Sequence, residues 1–112
     1  MSWISWEDFQ NVEIRVGTIT RVDHFPEARK PAWILTVDFG AEFGTRRSSA
    51  QITDLYAAED LVGKQVVAVV NFPPKKIGPF VSECLVTGFV QDDGSVVLAV
   101  PERPVANGLR LA

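Results

Sequence analysis

Short runs of apolar and β-branched residues, separated by glycine, proline and Asp-Gly, recur along the whole chain. The longest unbroken apolar runs, 66–70 and 96–100, are five residues long, whereas a membrane-spanning helix needs roughly 20 residues. Short runs with turn residues between them are typical of β-strands. The pattern therefore predicts an all-β fold and no insertion into a membrane.

The order of these runs predicts five main strands with one helix between the third and the fourth. The first strand, 12–22, contains Gly17 at a position where a strand would bend, and a helical turn capped by Ser5 precedes it. Gly63 would end the helix at 53–61. The other strands are expected at 32–38, 45–52, 65–71 and 84–90, with a further strand at 96–100. This series matches a five-stranded Greek-key OB-fold barrel with short helices and a C-terminal extension.

Composition limits the classes of function. A length of 112 residues suits one domain, 1–112, and a net charge of −3 argues against coating nucleic acid through bulk electrostatics. Seven of the eleven Lys and Arg residues lie within 27–80, so any binding to nucleic acid must be local. The N-terminus lacks the basic and apolar segments of a signal peptide, which predicts a cytoplasmic protein.

Residue types that carry enzyme chemistry are scarce. His24 and Cys84 are the sole histidine and cysteine, so a zinc site with the usual Cys and His count cannot form, and Cys84 lies in an apolar run where a buried, inert thiol is expected. The acidic pairs at 7–8, 59–60 and 92–93 stand in capping or turn contexts. We therefore predict no enzymatic activity, no catalytic residue, no metal and no cofactor.

The most informative segment is 71–80, a loop rich in phenylalanine and proline. Two prolines stiffen its backbone just before Lys75 and Lys76. Two more basic pairs would contact a phosphate backbone together with these lysines, namely Arg46 and Arg47 on the third strand and Arg29 and Lys30 before the second. From composition alone, ordinary solvated surface accounts for the three pairs equally well.

Aromatic residues in the same regions allow two interpretations. Phe72, Phe80 and Trp33 would stack on unpaired bases in the single-strand binding mode of OB-folds. Aromatic side chains in strands are more often part of the core. The sequence alone leaves both interpretations open.

Several phrases resemble the CsaA proteins, small bacterial members of the superfamily of tRNA-binding domains. They follow one another over nearly the whole chain: Asp8-Phe9, VEIRVGTI at 12–19, PEAR at 26–29, VDFG at 37–40, RSSAQIT at 47–53, VVAVVNFPP at 66–74 and SECL at 82–85. The wider superfamily has Ser-x-Gly-Met where this chain has SECL, and the segment 29–32 also departs from it, as in the CsaA subgroup. The resemblance implies an OB-fold and a homodimer joined through residues 1–10 and 101–112.

The resemblance also implies two kinds of ligand. The first expectation is an export-related chaperone that binds unfolded preproteins, with the motor of the Sec translocase as a further partner. Its peptide groove would be lined by Phe72, Pro73, Pro74, Ile77 and Phe80. The alternative is a tRNA-binding protein that recognises tRNA by shape and phosphate contacts. Its contacts would come from Arg46, Arg47, Asn71, Lys75, Lys76 and Ser82.

Overall fold

The computed structural model describes residues 1–112 and consists mainly of strands with three short helices. The elements in chain order are α1 (Trp6–Gln10), β1 (Ile14–His24), β2 (Trp33–Asp38), α2 (Gly40–Phe43), β3 (Thr45–Ala50), α3 (Ala58–Leu61), β4 (Gln65–Val69), β5 (Lys75–Ile77), β6 (Phe80–Ser82), β7 (Leu85–Val86), β8 (Gly88–Val90) and β9 (Val96–Leu98). No helix among them has the length and apolar character needed to cross a bilayer.

Five strands form a nearly closed antiparallel barrel in the order β3-β2-β1-β4-β7. The long strand β1 pairs with β4 through its first half and with β2 through its second half. Where the barrel closes, the Glu83 N–H donates to the Arg47 carbonyl at 2.8 Å. The predicted five-stranded OB-fold is therefore confirmed.

Gly17 lies where β1 changes its pairing partner. A Cβ at this position would stand 2.6 Å from Cγ1 of Val37 and 2.7 Å from Cδ1 of Phe39. Both of these side chains belong to the main core, a cluster of 12 buried residues. Glycine is therefore required here, because the side chains of Val37 and Phe39 occupy the space that a Cβ atom would need.

A second, smaller hydrophobic cluster lies outside the main core. It consists of Phe25, Ala32, Ile34 and Phe80, and the rings of Phe25 and Phe80 meet edge to face with their centroids 5.4 Å apart. The cluster packs the β1–β2 loop against the hairpin formed by β5 and β6. Two segments that are remote in sequence are thus fixed next to each other.

The helix predicted at 53–61 forms only over its last four residues. Tyr56 is held outside the helix, because its carbonyl accepts the indole N–H of Trp33 at 2.9 Å and its hydroxyl accepts the Leu98 N–H at 3.0 Å. The helix begins after Ala57, whose N–H donates to the Asp60 carboxylate at 3.1 Å. The contacts of Tyr56 with Trp33 and Leu98 thus explain why the helix begins at Ala58 and not at residue 53.

The strand predicted at 84–90 is interrupted at Thr87. The N–H and the hydroxyl of Thr87 both donate to the Val67 carbonyl, at 2.9 and 2.7 Å, while its own carbonyl accepts the Ala99 N–H at 3.1 Å. The chain here leaves the barrel and continues as the separate hairpin β8–β9.

Two further elements differ from the prediction. Segment 71–80 was predicted to be a loop, but it contains β5 and the start of β6. The short helix α2 was not predicted at all.

The C-terminal extension from 101 onwards includes a segment that runs beside the first half of β1. Three backbone hydrogen bonds of 2.8 to 3.1 Å join them: Val16 to Leu109, Gly108 to Val16 and Leu111 to Ile14, written from donor to acceptor. The Glu13 carboxylate also forms ion pairs with Arg15 at 2.8 Å and Arg110 at 2.7 Å. Residues 108–111 therefore complete the wall of the barrel.

Candidate ligand-binding site

A cleft of about 730 Å³ lies between the β1–β2 loop and the β5–β6 hairpin, and we call it the cationic cleft. Its four cations are all exposed: Arg29 and Lys30 from the loop, and Lys75 and Lys76 from β5. Ser49 and Gln51 at the end of β3 add polar groups, and Glu27 is its one acidic residue. The second hydrophobic cluster places these two basic segments on either side of one concave surface.

The four cations of the cationic cleft have no carboxylate partner. The protein contains four ion pairs, and all of them involve other cations: Arg15 with Glu13, Arg21 with Asp23, Arg103 with Glu102 and Arg110 with Glu13. Charges of one sign gathered in a cleft focus the electrostatic field. The cleft therefore attracts anions although the chain as a whole is acidic.

Arg47 extends the cationic cleft along β3. Successive side chains of a strand point to opposite faces, so Arg47 projects from the same face as Ser49. Its guanidinium carbon lies 4.9 Å from the centroid of the Phe80 ring. The Glu83 carboxylate accepts the Arg47 N–H at 3.1 Å, which fixes the backbone at this position. Arg47 is therefore a fifth cation next to the cleft, over a ring that packs on Phe25 of the cleft lining. Strand alternation from Arg47 points to Ser49 and Gln51, which were not among the predicted site residues.

The structure separates Arg46 from Arg47. Arg46 points to the other side of β3, where its guanidinium donates to the Phe43 carbonyl at 3.4 Å and also to the Val70 carbonyl. The side chain is half-buried and ties β3 to the end of β4. Arg46 was grouped with Arg47 as a tRNA contact, but it does not reach the cationic cleft.

Asn71 and Ser82 also lie away from the cationic cleft. The Asn71 amide is occupied at both ends, because it accepts the Glu13 N–H at 2.9 Å and donates to the Asn11 carbonyl at 2.7 Å. The Ser82 hydroxyl donates to the Cys84 carbonyl at 3.3 Å. Of the six tRNA contacts expected from the sequence, the structure therefore brings together Arg47, Lys75 and Lys76.

A second cleft of about 360 Å³ lies at the base of the β5–β6 hairpin, and we call it the apolar cleft. Its lining residues are Phe72, Pro73, Lys75, Ser82, Cys84 and Leu85. The side chains of Phe72 and Leu85 are 56% and 49% exposed, although both are large and hydrophobic. Lys75 borders the apolar cleft and the cationic cleft.

The five residues that were expected to line one peptide groove lie in different places in the fold. Phe72 and Pro73 line the apolar cleft, Pro74 is exposed next to them, and Ile77 borders the cationic cleft. Phe80 is only 4% exposed, so the expectation that it lines an open groove or stacks on a base is wrong. The pairing of β5 with β6 turns its ring into the second hydrophobic cluster.

Trp33 was the third aromatic residue considered for base stacking. It is half-buried, its indole N–H donates to the Tyr56 carbonyl, and its ring packs 4.9 Å from that of His24. Trp33 therefore has a structural role in joining β2 to the segment before α3.

The one histidine lines neither cleft, and the one cysteine, which borders the apolar cleft, is buried. Burial raises the pKa of the Cys84 thiol to about 11, so it is a neutral thiol at neutral pH. No group of three or more His, Cys, Asp and Glu side chains is arranged to hold a metal ion.

An exposed apolar surface lies at the N-terminus. Trp3, Ile4 and Trp6 are 94%, 71% and 66% exposed, and α1 contains no buried residue. The helix is nevertheless well defined, because Ser5 and Asp8 form a reciprocal capping box with both hydrogen bonds at 3.0 Å. Trp3, Ile4 and Trp6 are thus exposed at an ordered end of the chain, where the Trp6 ring lies 5.5 Å from that of Phe9 in the same helix.

Sequence and structure comparisons relate the whole chain to known proteins. Residues 14–110 match the profile of the tRNA binding domain family. The methionine–tRNA ligase of Porphyromonas gingivalis is 36% identical over 105 residues, which are 94% of this chain and 15% of that enzyme. The chain thus spans only about 15% of the length of this relative.

Two solved structures resemble the chain over their full length. The chaperone CsaA from Bacillus anthracis is 49% identical, with a TM-score of 0.93, and the match covers 99% of this chain and 100% of that one. The CsaA chaperone from Picrophilus torridus is 45% identical, with a TM-score of 0.91 and coverage of 98% and 100%. This chain therefore belongs to the tRNA-binding domain family and is CsaA-like within it.

Proposed function

We propose that this protein binds tRNA through phosphate contacts in the cationic cleft. The observation that carries the proposal is the convergence of four cations without ion-pair partners in one cleft of an acidic chain, with Arg47 next to them over the Phe80 ring. The segments that supply them correspond to the loops through which OB-folds bind oligonucleotides. The match to the tRNA binding domain family supports the same ligand.

The cleft favours recognition by shape over reading of bases. Phosphate contacts from Arg and Lys fix the position of a nucleic acid but carry no sequence information. The aromatic rings beside the cleft, Phe25 and Phe80, are buried and leave no exposed stacking platform. Recognition of folded tRNA through its backbone geometry fits such a surface.

The test reverses two charges of the cleft and compares them with two charges elsewhere. Lys75→Glu with Lys76→Glu is expected to weaken tRNA binding at least about tenfold in fluorescence anisotropy at low salt. The matched control, Lys64→Glu with Arg103→Glu, gives the same net charge on a different surface and should bind within about threefold of wild type. Equal losses in the two variants, or no binding by wild type, would contradict the proposal.

A second candidate function is that of a chaperone for unfolded polypeptides, which the sequence analysis placed first. It is supported by the similarity to the CsaA chaperones and by the exposed apolar side chains of Phe72 and Leu85. The apolar cleft would hold apolar side chains of an extended preprotein. A role in export and binding to the motor of the Sec translocase belong to this candidate.

The chaperone function is tested with a permanently unfolded preprotein. Phe72→Ser with Leu85→Ser should lower its affinity while tRNA binding is retained, because the cations are unchanged. The control Leu55→Ser with Val62→Ser removes two residues of similar exposure, 49% and 53%, that line neither cleft. If both variants bound the preprotein equally well, the apolar cleft would not be its site.

We also propose that the protein is a cytoplasmic homodimer of single-domain subunits joined through residues 1–10 and 101–112. Trp3 and Trp6 at one end and Leu109 and Leu111 at the other are large exposed hydrophobic residues. The two ends meet, because the Arg110 guanidinium donates to the Gln10 carbonyl. Two copies in one particle would raise avidity for a long ligand. Light scattering should give twice the subunit mass of 12.3 kDa, and a single subunit mass would overturn the proposed dimer.

A further inference from the structure

Phe80 is buried, yet it touches the cationic surface. One part of its ring packs edge to face on Phe25 at 5.4 Å, and the guanidinium carbon of Arg47 lies 4.9 Å from its centroid. Arg47 itself is exposed and has no carboxylate within ion-pair distance. Its guanidinium therefore contacts an aromatic ring and forms no ion pair, while the Glu83 carboxylate is bonded to the backbone N–H of the same residue.

The contact between Arg47 and Phe80 distinguishes this cation from the others in the cleft. The remaining cation–π contacts are those of Arg15 and Arg46 with Phe43 and of Lys64 with Tyr56. Arg29, Lys30, Lys75 and Lys76 have no such neighbour. Arg47 is thus the one cation of this surface whose side chain rests on a fixed ring.

Stacking leaves the binding groups of an arginine free. An aromatic ring contacts the face of the guanidinium, whereas the N–H groups that bind phosphate in pairs lie along its edge. The Arg47 backbone is also fixed, because Glu83 bonds to both its N–H and its carbonyl. A side chain restrained before the ligand arrives loses less conformational entropy on binding.

We propose that Phe80 is a positioning residue for the cationic cleft, which holds the Arg47 guanidinium by stacking so that its N–H edge meets a phosphate group. Phe80 does not contact the ligand. The proposal rests on the proposed binding of tRNA, and it assigns Arg47 a fixed, bidentate contact while the lysines supply point charges.

The first experiment observes the stacking without any ligand. In ¹⁵N-labelled protein, the Nε–Hε signal of Arg47, identified by its absence in Arg47→Lys, should be shifted upfield by the ring current of Phe80. Phe80→Tyr keeps the ring and should keep the shift, whereas Phe80→Leu should lose it. Ile34→Val loosens the same hydrophobic cluster and should leave the shift in place. An unshifted signal in the wild type would overturn the proposal.

The second experiment is a double-mutant cycle on tRNA affinity. A cation–π contact at an exposed site corresponds to a loss of about two- to fivefold, so Phe80→Leu should weaken binding by that factor in the wild-type background. It should have no further effect in the Arg47→Gln background, because Phe80 acts through Arg47. Phe80→Tyr should bind as wild type does, and so should Ile34→Val.

The outcomes separate this inference from the proposed function. Equal losses from Phe80→Leu in both backgrounds, or a loss from Ile34→Val of the same size, would show a general loosening of the hairpin and overturn the positioning role. If the wild type fails to bind tRNA, the proposed function fails, and the cycle is repeated with inorganic polyphosphate as the anion. Additive effects of Phe80→Leu and Arg47→Gln on that probe would then overturn the positioning role.

Discussion

Asn71 joins the end of β4 to the N-terminal segment through both ends of its amide. Its carbonyl oxygen accepts the Glu13 N–H and its nitrogen donates to the Asn11 carbonyl. Both groups of the amide are thus bonded within the fold, although the residue directly precedes Phe72 of the apolar cleft. At the scale of single residues, Asn71 therefore stabilises the fold and fixes the backbone that leads into the β5–β6 hairpin.

Replacement of Asn71 by alanine is expected to lower the free energy of unfolding by about 1–3 kcal/mol, because two backbone groups lose their partner. Urea denaturation followed by circular dichroism measures this loss. The control Asn11→Ala keeps the backbone carbonyl that Asn71 uses and should cost less. If Asn71→Ala left stability unchanged but weakened tRNA binding, Asn71 would be a ligand contact after all.

Arg46 and Phe80 illustrate what can be read from single residues and what cannot. The separation of Arg46 from Arg47 follows from strand alternation, so it was predictable once both were placed on one strand. The burial of Phe80 was not, because it depends on the three-residue strands β5 and β6. Such short strands show too little alternation to be recognised.

At the scale of elements, the C-terminal segment is anchored to β1 by Glu13. The pKa of the Glu13 carboxyl is lowered chiefly by the hydrogen bond from Arg15, with a further contribution from the positive charge of Arg110. A carboxyl whose pKa is lower in the folded than in the unfolded protein stabilises the fold while it is ionised. This contribution is present above the ordinary pKa of 4.5 and is lost as the pH falls through the lowered value.

Glu13→Gln should therefore reduce the loss of stability that the wild type shows on acidification below pH 4.5. Urea midpoints measured between neutral and acidic pH provide the comparison. Glu59→Gln, an exposed carboxylate with no ion pair, should retain the pH dependence of the wild type. Identical curves for wild type and Glu13→Gln would contradict this assignment.

The elements themselves were predictable to different degrees. Strands β1 to β4 were placed close to their observed bounds, because each has at least five residues and a glycine or proline near one of its ends. The start of α3 was misplaced because Tyr56 is fixed by Trp33 and Leu98, which are distant in sequence. The break at Thr87 likewise depends on Val67 and Ala99, which a local pattern cannot reveal.

At the scale of the whole molecule, the two clefts adjoin one another at the β5–β6 hairpin. Lys75 borders both, so a folded tRNA and a long polypeptide would meet at the same place. The clefts could not be derived from the sequence, because each is formed by segments that are far apart along the chain. The four cations of the cationic cleft do all come from residues 27–80, the part of the sequence that holds most of the Lys and Arg residues.

Competition between the two ligands follows from this arrangement. Unfolded preprotein should displace labelled tRNA from the wild type, and tRNA should displace labelled preprotein, because both proposed sites include Lys75. Titrations by fluorescence anisotropy measure both directions. With Phe72→Ser and Leu85→Ser, preprotein should no longer displace tRNA. Formation of a ternary complex without any displacement would show that the two sites are independent.

The strand-like path of residues 108–111 along β1 has a consequence for biosynthesis. Strand β1 leaves the ribosome well before residues 108–111, yet one edge of its first half is covered only by that segment, nearly a hundred residues further along the chain. The barrel can therefore reach its native structure only after residues 108–111 have left the exit tunnel. Until then the growing polypeptide exposes an open strand edge, which other nascent chains could pair with.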